Sequence, residues 1–230
     1  MILALDTATT TASLALYDPQ SQQILAEETW QARRRQTELL MPVLQQMMDL
    51  VDLQPTAIRT IAVTTGPGSF TGVRIAISVA KGMALGSSTP PQLVGAPTLS
   101  VTAAPWLDVA RTVPDVTLWP FIQAGRGRYN WAIFKPDDHL VRPTAEDHHV
   151  GNAERLEAEL AAHRGPIWLV GETTQAIQQI ATRFAHVVLV DEASGLRRAG
   201  VLARLAALYV AAGYVEDADS LQPLYLREPS

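Results

Sequence analysis

Cysteine is absent from the 230 residues, which excludes disulfide frameworks, thiolate nucleophiles and thiolate metal sites. Histidine is scarce. His139, His148, His149, His163 and His186 form neither H-x-x-x-H nor H-E-x-x-H, so surface or loop positions are expected for them and a histidine metal centre is not. No G-x-S-x-G elbow occurs. There is no basic excess; the net charge of −5 argues against a surface dominated by phosphate contacts. No apolar run reaches the length of a membrane span. The chain enters a strand pattern at once, without the basic and then apolar stretch of a signal peptide. A cytoplasmic location and no membrane association are therefore expected. Hydrophobic residues make up 47% and charged residues 18%, a globular composition with length for one large domain or two small lobes.

What is present centres on residues 61–86. Ile61-Ala62-Val63-Thr64-Thr65 reads as a buried strand. Gly66-Pro67-Gly68-Ser69-Phe70-Thr71-Gly72 follows as a glycine-rich turn, and 73–85 reads as a helix that Ser69 or Thr71 can cap. Such a turn lets the backbone take positive φ and lets another group approach closely. The N–H groups at the helix start make an anion site conceivable. The glycine spacing is not that of a Walker A loop, and Val73 stands where its lysine belongs. No acid follows the next strand, as a dinucleotide fingerprint requires. A ligand site and a tight turn without ligand both stay open. Gly72, Ala76, Ala80 and Ala84 share one face of the helix, against which a second helix, internal or from another chain, can pack closely.

Along the chain, strands are expected at 2–5, 12–17 and 23–29 as an antiparallel meander. A helix follows in which Leu40, Val43, Leu44, Met47 and Val51 recur at helical spacing, starting or bending near Pro42. The run Arg33-Arg34-Arg35 before it reads as a solvated face rather than a nucleic-acid contact. A strand at 92–94 and a short helix at 98–104 close the first half. Pro105, Pro114 and Pro120 mark the lobe boundary. The second half reads as strands at 116–123, 129–134 and 139–142, a helix capped by Asn152, a strand at 167–170, a helix at 174–184, a strand at 187–190 and a final helix at 200–212. Each half is thus βββαβαβα, without sequence identity between halves. This predicts an α/β fold of two lobes, 1–104 and 105–230, with a cleft between them and the last segment allowed to pack back on the first lobe. Asp6, at the end of the first strand, could face that cleft or satisfy a local Asx-turn. Glu172 likewise follows a strand end, a common cleft position and also a favoured one for an acid before a helix.

Several stretches resemble one family. Ile2-Leu3-Ala4-Leu5-Asp6-Thr7-Ala8-Thr9 resembles the opening strand of TsaB (YeaZ-type) proteins, and Gly66-Pro67-Gly68-Ser69-Phe70-Thr71-Gly72-Val73-Arg74-Ile75 their most specific motif. Glu38-Leu39-Leu40-Met41-Pro42 resembles their first helix, and Pro223-Leu224-Tyr225-Leu226-Arg227 their C-terminal signature. The matches fall in order from end to end of the chain. The resemblance implies a duplicated actin-like ASKHA fold and an accessory, non-catalytic role in making threonylcarbamoyladenosine at position 37 of tRNAs reading ANN codons. It implies a TsaD-like catalytic partner, a TsaE-like ATPase, a homodimer when alone, and tRNA reached only through the complex. No cofactor of its own is implied, with ATP or ADP admitted at the partner interface.

The implied interface lies on the N-terminal helices, at Gln36, Leu40, Leu44, Gly72, Arg74, Ala76 and Ala80, with Asp6, Gly66, Gly68, Ser69, Thr71 and Glu172 as loop and cleft candidates. Catalytic relatives carry an H-x-x-x-H metal site just after the strand that follows the glycine loop; here Gly95-Ala96-Pro97-Thr98-Leu99-Ser100 has no histidine. The chain also departs from the TsaB pattern. Gln36 stands for a common histidine, and Gln123-Ala124-Gly125 for an Asp-Ala-Arg stretch whose arginine Arg126 or Arg128 could replace. The competing expectation is an active phosphotransferase or ATPase using Asp6 and the glycine loop. An M22-type peptidase would need a metal or nucleophile that the residues do not supply.

Overall fold

The computed structural model describes residues 1–33, 35–125 and 127–226, so Arg34, Arg126 and Arg227 of the stretches above lie outside the described residues. In chain order the elements are β1 (Ile2–Asp6), β2 (Thr11–Asp18), β3 (Gln23–Gln31), α1 (Gln36–Leu50), β4 (Thr60–Gly66), α2 (Phe70–Leu85), β5 (Gln92–Pro97), α3 (Thr98–Ala110), β6 (Thr117–Gln123), β7 (Arg128–Trp131), β8 (His149–Asn152), α4 (Ala153–Ala162), β9 (Ile167–Gly171), α5 (Gln175–Ala181), β10 (Val187–Leu189) and α6 (Ala199–Ala211). They form two units. One holds Met1–Thr98 and Arg198–Pro223, the other Leu99–Arg197 with the described residues from Leu224.

Each unit is built on a five-stranded mixed sheet. The first has the order β3-β2-β1-β4-β5, the second β10-β9-β6-β7-β8. Read from its other edge, the second matches the first position by position. In both, the first three strands pair antiparallel and the fourth and fifth add parallel. A parallel addition needs a crossover, and α1, α2, α4 and α5 supply it. The duplication lives in topology, not in residue identity.

Strands β1, β2 and β4 of the first sheet are buried on both faces, whereas β3 is exposed or half-buried. Leu3, Leu5, Leu14, Leu16, Ile61 and Val63 alternate onto one face and pack with Leu40, Leu44, Val73, Ala76 and Ala80 of α1 and α2. The other face carries the small residues Ala4, Ala15 and Ala62, all fully buried. Helix α6 lies along it. Burial of side chains of this size on two faces contributes roughly 1.5–3 kcal/mol for each large apolar one, offset by the entropy of ordering the chain.

Several expectations are corrected. The division falls after Thr98, not at 104/105, because Leu99, Ala103, Leu107 and Ala110 of α3 pack with Leu118, Ile122 and Phe134 of the second unit. In return α6, expected in the second lobe, belongs to the first unit. The third strand of the second sheet is His149–Asn152, not 139–142. Around 135–142 the backbone is used locally: Lys135 N–H donates to Asp138 Oδ2 (2.7 Å), and Val141 N–H to Asp138 O (3.2 Å). Helix α1 starts at Gln36 and runs through Pro42. Helix α3 runs on to Ala110 rather than stopping at 104. Among the described residues, no helix is long and apolar enough to cross a membrane.

Candidate functional site

The glycine turn is filled by the chain's own backbone. Ser69 caps α2, its Oγ accepting from Gly72 N–H at 3.2 Å. Ser69 N–H donates to Ala8 O at 2.6 Å, and the Thr7 hydroxyl donates to Gly72 O at 2.6 Å. A Cβ at Gly68 would stand 2.3 Å from Ala8 O, and one at Gly72 2.0 Å from Thr7 O. Both glycines are therefore required for the β1–β2 turn to seat against the start of α2. Two backbone carbonyl oxygens sit where an anion would have to approach, which favours the tight-turn reading over a phosphate cradle. Gly66 takes φ 108°, which no ordinary side chain tolerates well. Thr71 is exposed.

Asp6 is part of the same junction. It is 1% exposed, and its Oδ1 accepts from Ala8 N–H and from the Thr64 hydroxyl, both at 2.9 Å. This is an Asx-turn stitched to β4. Asp6, Gly66, Gly68, Ser69 and Gly72 thus come together, as a structural knot around Thr7 and Ala8.

Glu172 lies in the second unit, just past β9. Its carboxylate is 3.6 Å from Arg197 Nη2, and the Arg197 side chain is 2% exposed. Thr174 caps α5 through Ile177 N–H (3.4 Å) and meets the Tyr129 hydroxyl at 2.9 Å. Gly171 leaves room for Phe121 O, which a Cβ would approach to 2.1 Å. Gln123 ends β6, paired with Tyr129, Gly125 lies in the β6–β7 turn, and Arg128 is exposed at the start of β7. Just ahead of β8, Thr144 and Asp147 form a reciprocal capping box. The Thr144 N–H and hydroxyl hold the Asp147 carboxyl below its usual range. Burial pushes the His148 imidazole down, against the opposing pull of its Nδ1 bond to Thr144 O (2.7 Å).

Among the described residues, no group of three or more His, Asp or Glu is arranged to hold a metal. Four-residue spacing at the start of α3 brings Thr98 and Thr102, both buried, whose neutral hydroxyls are poor first-row metal ligands beside imidazole or carboxylate.

Most residues predicted for the partner face point into the unit's own core. Ala76 and Ala80 are fully buried, Leu40 and Leu44 nearly so, and all four sit in the unit's own core. Gln36 turns inward, its Nε2 donating to Thr9 O at 3.4 Å. Gly72 is closed off by Thr7. Of the seven residues, Arg74 alone is exposed. The outward line of α2 is Phe70, Arg74, Ser78 and Gly82, again at four-residue spacing. Phe70 is 61% exposed, with the Arg74 guanidinium 3.7 Å from its ring centre, a cation–π contact. Beside it an open groove of about 380 Å³ is lined by Thr37 of α1 and Phe70, Thr71, Arg74, Ile75, Ser78 and Val79 of α2. The signal for Phe70 was in the sequence: an aromatic half a helical turn out of phase with the small residues.

The two matching mixed sheets, each with crossover helices, define a class of duplicated α/β proteins. A solved Bacteroides thetaiotaomicron protein described as having an actin-like ATPase fold shares it (TM-score 0.51, 9% identity, 89% of this chain and 95% of that one). So does a Pseudomonas aeruginosa protein with similarity to peptidase YeaZ (TM-score 0.73, 23% identity, 98% and 99%). The family described as TsaD, tRNA N6-adenosine threonylcarbamoyltransferase, matches residues 23–223. The tRNA threonylcarbamoyladenosine biosynthesis protein TsaB of Escherichia coli K12 is 30% identical over 227 residues, 98% of this chain and 94% of that protein. The chain belongs to this family, and within it to the TsaB (YeaZ-type) proteins.

Proposed function

We propose that this chain acts in tRNA threonylcarbamoyladenosine biosynthesis as a non-catalytic subunit. Its partner is a TsaD-like catalytic subunit, with a TsaE-like ATPase in the assembly and a second copy of itself as partner when alone. It supports threonylcarbamoyl transfer to N6 of adenosine 37 in tRNAs reading ANN codons without contacting the reacting atoms. It has no cofactor of its own; ATP or ADP, where used, sits at the junction with the partner.

The observation that carries this reading is the α1–α2 groove with Phe70 standing beside it. A large aromatic so exposed, paired with an arginine, is the residue combination that anchors protein interfaces. The residues of the glycine turn support it from the other side, since Asp6 and the turn backbone are committed to one another rather than to a substrate. The interface is accordingly moved from the small-residue face of α2 to its Phe70–Arg74 face.

The test is co-elution on gel filtration with a TsaD subunit, combined with reconstituted transfer. Phe70→Asp is expected to abolish co-elution and transfer while leaving thermal unfolding unchanged. Full complex formation by Phe70→Asp would overturn the interface. An unchanged transfer rate when the chain is omitted would overturn the accessory role. Nucleotide turnover by the isolated chain, lost in Asp6→Asn, would favour the enzymatic reading instead.

A further inference from the structure

Helix α6 starts without a cap of its own. Arg198 stands at its N-cap and makes no side-chain capping bond. The first N–H groups of a helix have no partners within it. Here the first sheet supplies them. Ser13 Oγ on β2 accepts from Ala199 N–H at 2.9 Å, and Glu27 Oε1 on β3 accepts from Gly200 N–H at 2.6 Å. The other carboxylate oxygen, Oε2, takes the Arg198 guanidinium. The Glu27 side chain is only 7% exposed, an expensive place for a carboxylate unless its lone pairs are met. A guanidinium and the positive end of a helix meet them. Gly200 keeps this approach clear: a Cβ there would lie 2.4 Å from Ile24 Cδ1 and 2.9 Å from Glu27 Oε1, so both side-chain ends would have to shift.

The far end of the same segment is fastened in a like manner. Glu216 N–H donates to Leu93 O (2.8 Å), and Gly95 N–H of β5 donates to Glu216 Oε2 (2.7 Å). Since β3 and β5 are the two edge strands of the first sheet, the segment crosses that sheet from edge to edge. At each edge a glutamate and a backbone N–H make the fastening.

We propose that 198–216 is a strap with two buckles, and that Glu27 is the buckle that sets whether it is closed. The chain re-enters the unit at Arg198 after the whole of Leu99–Arg197 has intervened, so no local contact can hold α6 in place. Glu27 does so from the sheet, by capping the helix and pairing with the residue before it in one side chain. Loss of the buckle lowers the cost of opening the strap as a single cooperative segment, although Leu202, Leu205 and Tyr209 still bury its apolar side. The leucine face with α1, α2 and the groove stays in place, because it packs on the opposite side of the sheet.

Hydrogen exchange read by mass spectrometry on the full chain tests this, with Glu27→Ala, Glu27→Gln and Arg198→Met. Glu27→Ala is expected to speed exchange across 199–211, and at the Leu93–Gly95 end, by about tenfold or more, the scale of one charge-assisted hydrogen bond. The isosteric Glu27→Gln keeps an acceptor for Gly200 and loses the ion pair. It and Arg198→Met are expected to give the same smaller acceleration, confined to the strap, and they carry the test should the alanine variant not fold. Wild-type protection of 199–211 in both Glu27 variants would overturn the proposal. So would an acceleration of α2 and α4 equal to that of α6, which would mark Glu27 as a general stabiliser only.

Discussion

The two units share a strand order and part company at the turn after the fourth strand. In both, a glycine there admits a backbone oxygen from the first strand or just past it: Thr7 O and Ala8 O in one unit, Phe121 O in the other. In the first unit the side chains of Asp6, Thr7 and Ser69 bond almost entirely to backbone around Gly68 and Gly72, save the bond from the Thr64 hydroxyl to Asp6. In the second, side chains complete it, with Glu172 against the buried Arg197 and Tyr129 against Thr174. One topology thus imposes a close approach at one place and leaves the chemistry of the fastening unspecified. That turn is also where helix α2 acquires its outward Phe70, whereas α5 is a seven-residue helix with Gln175 and Gln178 on its exposed side. The first unit's turn presents an exposed aromatic; the second's presents polar amides.

The largest expected effect breaks both junctions at once. Gly72→Val and Gly171→Val each set side-chain carbon against a backbone carbonyl at about 2 Å, which neither neighbour can yield to cheaply. Each is expected to lower unfolding stability by about 3 kcal/mol or more in urea titration, the upper end of what overpacking costs because the clash is with backbone. A loss below about 1 kcal/mol in either would show that the close approach is not needed there. Next in size, Ala80→Leu separates the two faces of α2. Overpacking the core is expected to cost about 1–3 kcal/mol, whereas Phe70→Asp leaves stability unchanged and removes partner binding. Equal stability losses in the two variants would erase the distinction between faces.

A smaller contrast is in pH. Burial lowers the His148 pKa in the folded second unit, so below about 6.5, the ordinary value, the unfolded chain binds the proton more readily. Stability is therefore expected to fall as pH drops below that value and to be level above it. In His148→Asn this slope should flatten. An unchanged slope between pH 7 and 5 would assign the acid sensitivity to another group.

Much of this was legible from residues alone. Alternating apolar strands, the Ser69 and Asn152 caps and the glycine turn each depend on local chemistry, and each sits where that chemistry puts it. The exchange of α3 and α6 between units was not legible. Helical periodicity says that Leu99, Ala103 and Leu107 have a buried face, but not which sheet buries it, and both sheets offer an apolar one. The same limit applies to the small-residue face of α2, which the chain itself buries. Small residues at four-residue spacing promise a close neighbour, and the sequence does not say that the neighbour is the leucine side of the chain's own sheet. What decides is size complementarity: the alanines of α2 cluster with Leu3, Leu5, Ile61 and Val63, while α6, with Leu202, Leu205 and Tyr209 buried, lies against the strands β1 and β2 that carry the alanine face.

The smallest predicted effect uses the same helix. Gly72 and Gly82 both lie in α2, one on its inward line and one on its outward line. A Cβ at Gly82 meets nothing within 4 Å, against 2.0 Å at Gly72. Gly82→Ala should thus gain helix propensity without any clash, raising stability by about 0.5–1 kcal/mol in the isolated chain. Partner binding then sharpens the comparison further. If the partner rests along the whole outward line from Phe70 to Gly82, the added methyl weakens co-elution while stability rises. If it engages only the Phe70–Arg74 end, both stability and binding survive. A loss of stability in Gly82→Ala would mean that this end of α2 packs inward after all, and the two-line description of the helix would fail.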